Sequence, residues 1–299
     1  MRLGGNSWEM RVKKASRKKK VAIVGAGSLA RALALSLHAA GYAVTEILSR
    51  NAPKSRRHAA RLASAVAARM VTSSNARLDA DVIWFCVPDD SIAATARELA
   101  GSHRNLKGKT VLHSSGALPA SELAALKRRG AAIASAHPMN TYVSDSEPSF
   151  AGTPFAIEGD AAALRTAEQI VRDLNGHSEV IRISLKQKPL YHALGSFSSP
   201  LLVSLLSAAE EVAKKGGIAR PQAVTGRILR QTIENYLQKG AKESFSGPIK
   251  RGDIATIKKH LSALKKIPAA REIYIALAKN ALATLPVKRA AELRRLLHR

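Results

Sequence analysis

The chain has 299 residues, long enough for two domains with well-buried cores, and its 46% hydrophobic content is ordinary for a globular protein. A formal charge of +26 predicts generic affinity for polyanions, but 4% aromatic content argues against a platform of stacked rings, and no DNA- or RNA-binding motif points to a dedicated nucleic-acid site. With one cysteine, Cys86, in an apolar run, no internal disulfide and no cysteine-based metal site is expected.

Much of the charge is local. Residues 1–19 carry Arg2, Arg11, Lys13, Lys14, Arg17, Lys18 and Lys19 against the single acid Glu9, and read as a disordered basic arm or as a start codon assigned too early. The next stretch, Val21 to Gly41, organises the chain. A four-residue apolar strand meets a glycine turn at Gly25 and Gly27, and Leu29, Ala32, Leu33, Leu37 and Ala40 then recur at helical spacing. Gly25 suits the tight turn, and Gly27 lets the backbone approach a pyrophosphate seated on the helix N-terminus at Ser28 and Leu29. Ala30 takes the third, packing position. Arg31 and His38 interrupt this run as a signal peptide. No stretch reaches the roughly 18 uninterrupted apolar residues of a membrane span, so a cytoplasmic protein is expected.

A second strand, Ala43 to Leu48, ends in Ser49-Arg50-Asn51. NAD sites often carry an acid near here for the ribose 2′-hydroxyl, whereas Ser49 and Arg50, with Lys54, Arg56 and Arg57 behind, suit a 2′-phosphate. The predicted cofactor is therefore NADP. A helix over Arg56 to Val66 precedes a third strand, Arg69 to Thr72, and the continuous apolar run Asp81 to Val87 reads as a strand buried on both faces. It turns at Pro88-Asp89-Asp90-Ser91, with Asp90 or Ser91 as N-cap of the next helix. Strands at Lys109 to His113 and Ala132 to Ala136 run into Ser114-Ser115-Gly116 and His137-Pro138-Met139-Asn140.

This alternation predicts an α/β fold, a doubly wound parallel Rossmann sheet whose ligands gather beyond the strand C-termini. Val87, Pro88 and Ser114 are then cofactor contacts, and His113 and His137 substrate contacts. A further strand–helix–strand covers 154–184. Strand signals stop there, so residues 20–185 form the NADP-binding domain and residues 186–299 an all-α domain, opened by one long apolar helix from Leu190 to Gly216.

Lys188 and His192 are four apart and share a helical face that continues to Ser199. A cation, an imidazole and hydroxyls beside a nicotinamide could position and protonate a carbonyl or imine. In Ser246-Gly247-Pro248-Ile249-Lys250-Arg251-Gly252-Asp253, Arg251 could clamp an anionic substrate group, while Asp253 serves equally as a helix N-cap.

Six motifs in this order, V-G-A-G-S-L-A, C-V-P-D-D-S-I, H-S-S-G-A-L, A-H-P-M-N-T, K-P-L-Y-H-A and S-G-P-I-K-R-G-D, span about residues 20–285. They resemble a Rossmann-like oxidoreductase family with a C-terminal helical domain of unknown function, related in layout to ketopantoate, pyrroline-5-carboxylate and 6-phosphogluconate-type dehydrogenases. The resemblance implies a nicotinamide cofactor, a homodimer built through the helical domain, and reductase or dehydrogenase activity on an unspecified small molecule. It places Lys188, Tyr191 and His192 in the family's catalytic K-x-x-Y-H element. Where relatives carry an asparagine, this chain reads Ser198-Ser199-Pro200, so that contact is lost or Ser199 replaces it. The expected activity is NADP-dependent hydride transfer to or from a small carbonyl, hydroxyl or imine compound, with Lys188 as general acid–base. The alternatives are a non-catalytic NADP(H)-binding sensor or scaffold, and a polyanion binder acting through the basic arm.

Overall fold

A computed structural model describes residues 18–143, 149–175 and 179–298; the basic arm up to Arg17 lies outside the described residues. The chain divides into two compact units, one ending at Gly195 and the other beginning at Ser196. Strand signals end ten residues earlier than the first unit does, because the opening turns of a helix there dock on the sheet.

The first unit is built on an eight-stranded sheet: β1 Lys20–Val24, β2 Ala43–Leu48, β3 Arg69–Val71, β4 Val82–Phe85, β5 Thr110–His113, β6 Ala132–Pro138, β7 Phe155–Gly159 and β8 Val180–Arg182, in the order β3-β2-β1-β4-β5-β6-β7-β8. The order reverses between β1 and β4, which makes the crevice beyond their C-terminal ends the switch point. Successive side chains alternate across the sheet. Val21 and Ile23 join Trp84 and Phe155 in one core with α1 (Ser28–Ala39) and α5 (Ala161–Asn175). Ala22 and Val24 join Ile83 and Phe85 in another, under α3 (Asp89–Ser102) and the short α4 (Ala124–Lys127).

The structure corrects four local expectations. The sheet is mostly parallel, but β7 runs antiparallel to β6, with Ser135 opposite Glu158 and His137 opposite Ala156. A parallel pair needs a crossover, usually helical, and the described parts of the β6–β7 connection form no helix. Helix α2 spans Pro53–Ala65, starting earlier than predicted because Pro53 suits the first helical turn. Helix α3 is capped at Pro88 rather than Asp90 or Ser91; the Asp89 carboxylate instead accepts a hydrogen bond from Ser115 Oγ at 2.8 Å. The single long helix expected from Leu190 to Gly216 is two, α6 Lys188–Ser198 and α7 Pro200–Lys215, because Pro200 lacks the N–H an unbroken helix needs and Ser199 leaves helical geometry (φ −133°, ψ −84°).

The second unit is helical: α7, α8 Pro221–Ser244, α9 Pro248–Arg251, α10 Ile254–Ala263, α11 Pro268–Thr284 and α12 Ala290–Leu297. Helix α8 kinks at Gly240, whose φ of 74° a side chain would resist. Ile257, Leu261, Ala278, Leu293 and Leu297 form its main core. In contrast, Leu201, Val203, Val224, Ile228, Tyr236 and Leu237 of α7 and α8 are exposed. The α6–α7 run reaches a mean hydropathy of 1.2, long and apolar enough to cross a membrane by composition, but it is interrupted at Ser199-Pro200.

Candidate functional site

A cleft of about 430 Å³ opens at the switch point, lined by Gly25, Gly27, Ser49, Arg50, Val87 and Pro88, all predicted cofactor contacts. Its volume suits a ligand site. Gly25 has φ +117°, and a Cβ there would lie 2.3 Å from the Cys86 carbonyl oxygen. The turn is therefore pinned between the ends of β2 and β4, with Gly25 N donating to Leu48 O at 2.8 Å. Gly27 is different. Its backbone is extended (φ −79°, ψ −174°), and a Cβ would meet nothing within 4 Å. Neither conformation nor packing requires glycine there, so the open space beside it fits a backbone-hugging pyrophosphate. No side chain caps α1 and no acid occupies its first turn, which leaves the N–H groups at Ser28 and Leu29 to receive an anion. Ala30 is fully buried, as the packing position requires.

At the β2 end the cleft sorts the basic residues that sequence had grouped together. Arg50, Lys54 and His58 line it, with Ser49 and Ser55 between them. Arg56 is drawn aside to Asn51 Oδ1 at 3.5 Å, the limit of a hydrogen bond, and neither Arg56 nor Arg57 lines the cleft. Sequence reasoning missed His58, Ser73, Thr95 and Glu98 on these walls. The i,i+4 spacing of Lys54 and His58 was the available signal for the first. Cys86 also lines the cleft, but burial pushes its thiol up to about 12, so it is no nucleophile near neutral pH.

Beyond β5 and β6, helix α6 lies across the antiparallel β6–β7 pair. Lys188 docks where Ser135 faces Glu158: its ammonium donates to Glu158 Oε1 at 3.1 Å and to Ser135 Oγ at 2.5 Å. Its side chain is only 3% exposed. Glu158 also accepts from Ala120 N at 2.6 Å, and Ser135 Oγ donates to Ser115 O at 3.0 Å. Burial lowers the Lys188 pKa, and the Glu158 carboxylate pushes back. The predicted acid–base lysine thus faces a carboxylate and a hydroxyl inside the protein. One turn on, Tyr191 reaches the next cross-strand step, its hydroxyl 2.9 Å from His137 Nδ1. The exposed His192 sets its ring edge-on to His137, centroids 6.1 Å apart. An ideal Cβ on Gly116 would lie 2.9 Å from His137 Nε2 and 2.8 Å from His192 Cδ2, so glycine is what lets the two imidazoles converge.

Ser114 and His113 do not join them. Ser114 is buried in the core, its Oγ accepting from Trp84 Nε1 at 2.9 Å. His113 is fully buried, Nε2 bonded to Pro119 O and Nδ1 accepting from Ser115 N. Both face inward because β5 is a central strand covered on two sides. Ser199 caps α7 and Arg251 ends α9, exposed, both in the helical unit. Asp253 is an N-cap, accepting from Thr256 N at 3.1 Å.

Burial, reinforced by Lys188, lowers His113 from 6.5 to about 4. Above pH 6.5 the folded and unfolded imidazoles are both neutral. Below it the unfolded chain takes a proton that the folded one refuses until about pH 4, so stability is lost as pH falls through that window. The expected loss is up to about 3 kcal/mol. Urea unfolding between pH 4 and 7 measures it, and a slope unchanged in His113→Asn would contradict this assignment.

Known proteins agree with this layout. Residues 20–115 match the family described as NADP oxidoreductase, coenzyme F420-dependent, and residues 153–281 match a domain of unknown function, DUF2520. No curated protein sequence matches the chain. Among solved structures, a candidate NADP oxidoreductase from Bacteroides fragilis is 23% identical with a TM-score of 0.73, over 88% of this chain and 97% of that one. A Thermotoga maritima protein is 23% identical with a TM-score of 0.69, over 92% and 99%. A reductive aminase from Aspergillus terreus, solved with NADPH and ethyl-5-oxohexanoate, is 18% identical with a TM-score of 0.65, over 94% and 100%. At these identities the likeness is one of fold. The nucleotide-domain family is matched on the strands and turn that form the cleft, so this chain carries a domain of the NADP oxidoreductase type followed by a domain of unknown function.

Proposed function

We propose that the protein moves a hydride between NADP(H) and a small carbonyl, hydroxyl or imine compound. The observation that carries this reading is the cleft itself: an unobstructed glycine at Gly27 and a cationic wall of Arg50 and Lys54, flanked by His58, at its far end. Bound there, the nicotinamide cofactor supplies or accepts the hydride. Gly25 and the α1 N-terminus seat its pyrophosphate, and Ser49 with the cationic wall binds its 2′-phosphate. Val87 and Pro88 border the nicotinamide end. His137 and His192 form the polar surface toward the substrate, Tyr191 holds His137, and Lys188 locks α6 to the sheet. Structures with this fold include an imine reductase from Myxococcus stipitatus with NADP+ and the reductive aminase above, which supports carbonyl and imine compounds as the first to try. Arg251 would clamp an anionic group of the substrate, and Ser199 would supply a hydroxyl in place of the family asparagine.

The same reading takes the protein as cytoplasmic and as a homodimer built through the helical unit, where the large apolar side chains Leu201, Val203, Val224, Ile228 and Leu237 of α7 and α8 are exposed. Light scattering at micromolar concentration should give twice the 31.9 kDa chain mass.

The test of activity follows nicotinamide absorbance with NADPH across cyclic imines, ketones and ketone–amine mixtures, with Arg50→Asp alongside. Turnover is expected, with NADPH preferred over NADH in the wild type and that preference reduced about ten- to a hundredfold in Arg50→Asp. Silence across the panel with NADPH binding intact would favour the sensor or scaffold, a reading to which the enclosed ammonium of Lys188 lends some weight.

A further inference from the structure

We propose that His137 is the group that hydrogen-bonds the substrate's reacting heteroatom, as a neutral imidazole fixed in its Nε2–H tautomer by Tyr191. This deepens the oxidoreductase reading and rests on it for the identity of the substrate, but the tautomer stands on geometry alone.

Tyr191 Oη lies 2.9 Å from His137 Nδ1 and 3.4 Å from the His137 carbonyl oxygen. A hydroxyl has one proton to give. The hydroxyl proton then goes to the nearer acceptor, Nδ1, because 3.4 Å is long for an O–H···O bond. With Nδ1 accepting, the ring proton sits on Nε2. That atom lies at the Gly116 notch, where even a methyl group would stand 2.9 Å away. The glycine keeps the donor edge clear.

The surroundings keep the ring neutral. Burial lowers His137 to about 4, and the neighbouring His192 and Lys188 push the same way. Burial raises the Tyr191 hydroxyl to about 12, so it stays a donor. A neutral N–H needs an acceptor opposite it. A carbonyl oxygen or an unprotonated imine nitrogen offers a lone pair; an iminium cation offers none. His137 therefore selects neutral acceptors and polarises the double bond toward hydride attack, while solvent water supplies the proton that completes the reduction and His137 keeps its own. Tyr191 is a positioning residue, acting through the imidazole.

The experiment is NMR of the full chain with 15N-labelled histidine, followed by turnover of the best substrate in the panel. The wild type should show a pyrrole-type His137 Nε2 and a pyridine-type Nδ1, and Tyr191→Phe should lose that single tautomer while NADPH affinity is unchanged. A pyrrole-type Nδ1 in the wild type would overturn the assignment, whether or not any substrate is found. In turnover, His137→Ala should lower kcat about a hundredfold, and His137→Gln, which keeps a neutral N–H, should recover part of it. Equal kcat in His137→Ala and the wild type would overturn the substrate contact while leaving NADPH-dependent turnover, and so the wider reading, intact.

Discussion

Gly27→Ala should leave the protein as stable as the wild type and weaken NADPH binding about ten- to a hundredfold, whereas Gly25→Ala should destabilise the fold itself. The two glycines stand two residues apart in one turn and do different work. At Gly25 the backbone has φ +117° and a Cβ would press to 2.3 Å on the Cys86 carbonyl oxygen, a main-chain atom at the end of a central strand that has nowhere to move. Strain and clash together should cost roughly 2–4 kcal/mol. At Gly27 an alanine fits the extended backbone and touches nothing, so its stability effect should stay within about 0.5 kcal/mol. Its methyl group would occupy the space where the pyrophosphate meets the α1 N–H groups. Urea titration and NADPH fluorescence on both variants separate the effects. A Gly27→Ala protein that binds NADPH normally would mean the open space belongs to no phosphate.

The second large effect is at Lys188. Replacing it with methionine should destabilise the protein by about 3–5 kcal/mol, because the Glu158 carboxylate, its side chain only 11% exposed, loses its counter-charge. Two hydrogen bonds would remain to judge the site by: Ala120 N still reaches Glu158, and Ser135 Oγ still reaches Ser115 O. Adding Glu158→Gln should recover most of the loss, since a neutral pair of similar shape no longer buries an unpaired charge. A lysine acting as general acid would behave differently: its removal would abolish turnover and barely move the unfolding midpoint. Chemical denaturation of the single and double variants decides between the two roles.

These two sites also show what the sequence could and could not disclose. The β1–α1 turn was legible because its elements are local: four apolar residues, two glycines and a helix whose apolar period continues for three turns. Arg50 was legible for the same reason, as the end of the adjacent strand. Lys188 was visible as a residue with chemistry, but its partner Glu158 is 30 residues earlier, on a strand whose antiparallel course nothing in the local pattern announced. Without that partner, a lysine one turn from a tyrosine and a histidine reads as catalytic. His113 and Ser114 misled in the opposite way. Polar residues at a strand end resemble a site, yet here they satisfy Pro119, Ser115 and Trp84 inside the core. Glu98 went unread because a helix face turns it into the cleft, a matter of packing rather than of motif.

The central claim is that the switch-point cleft is an NADP site with the 2′-phosphate on Arg50, Lys54 and His58. Calorimetric titration of the full chain with NADPH and with NADH tests it most directly. Saturable binding of NADPH, at least about tenfold tighter than NADH, is the predicted result, a difference of about 1.4 kcal/mol or more. Equal affinity for the two cofactors, or no binding of NADPH, would contradict it.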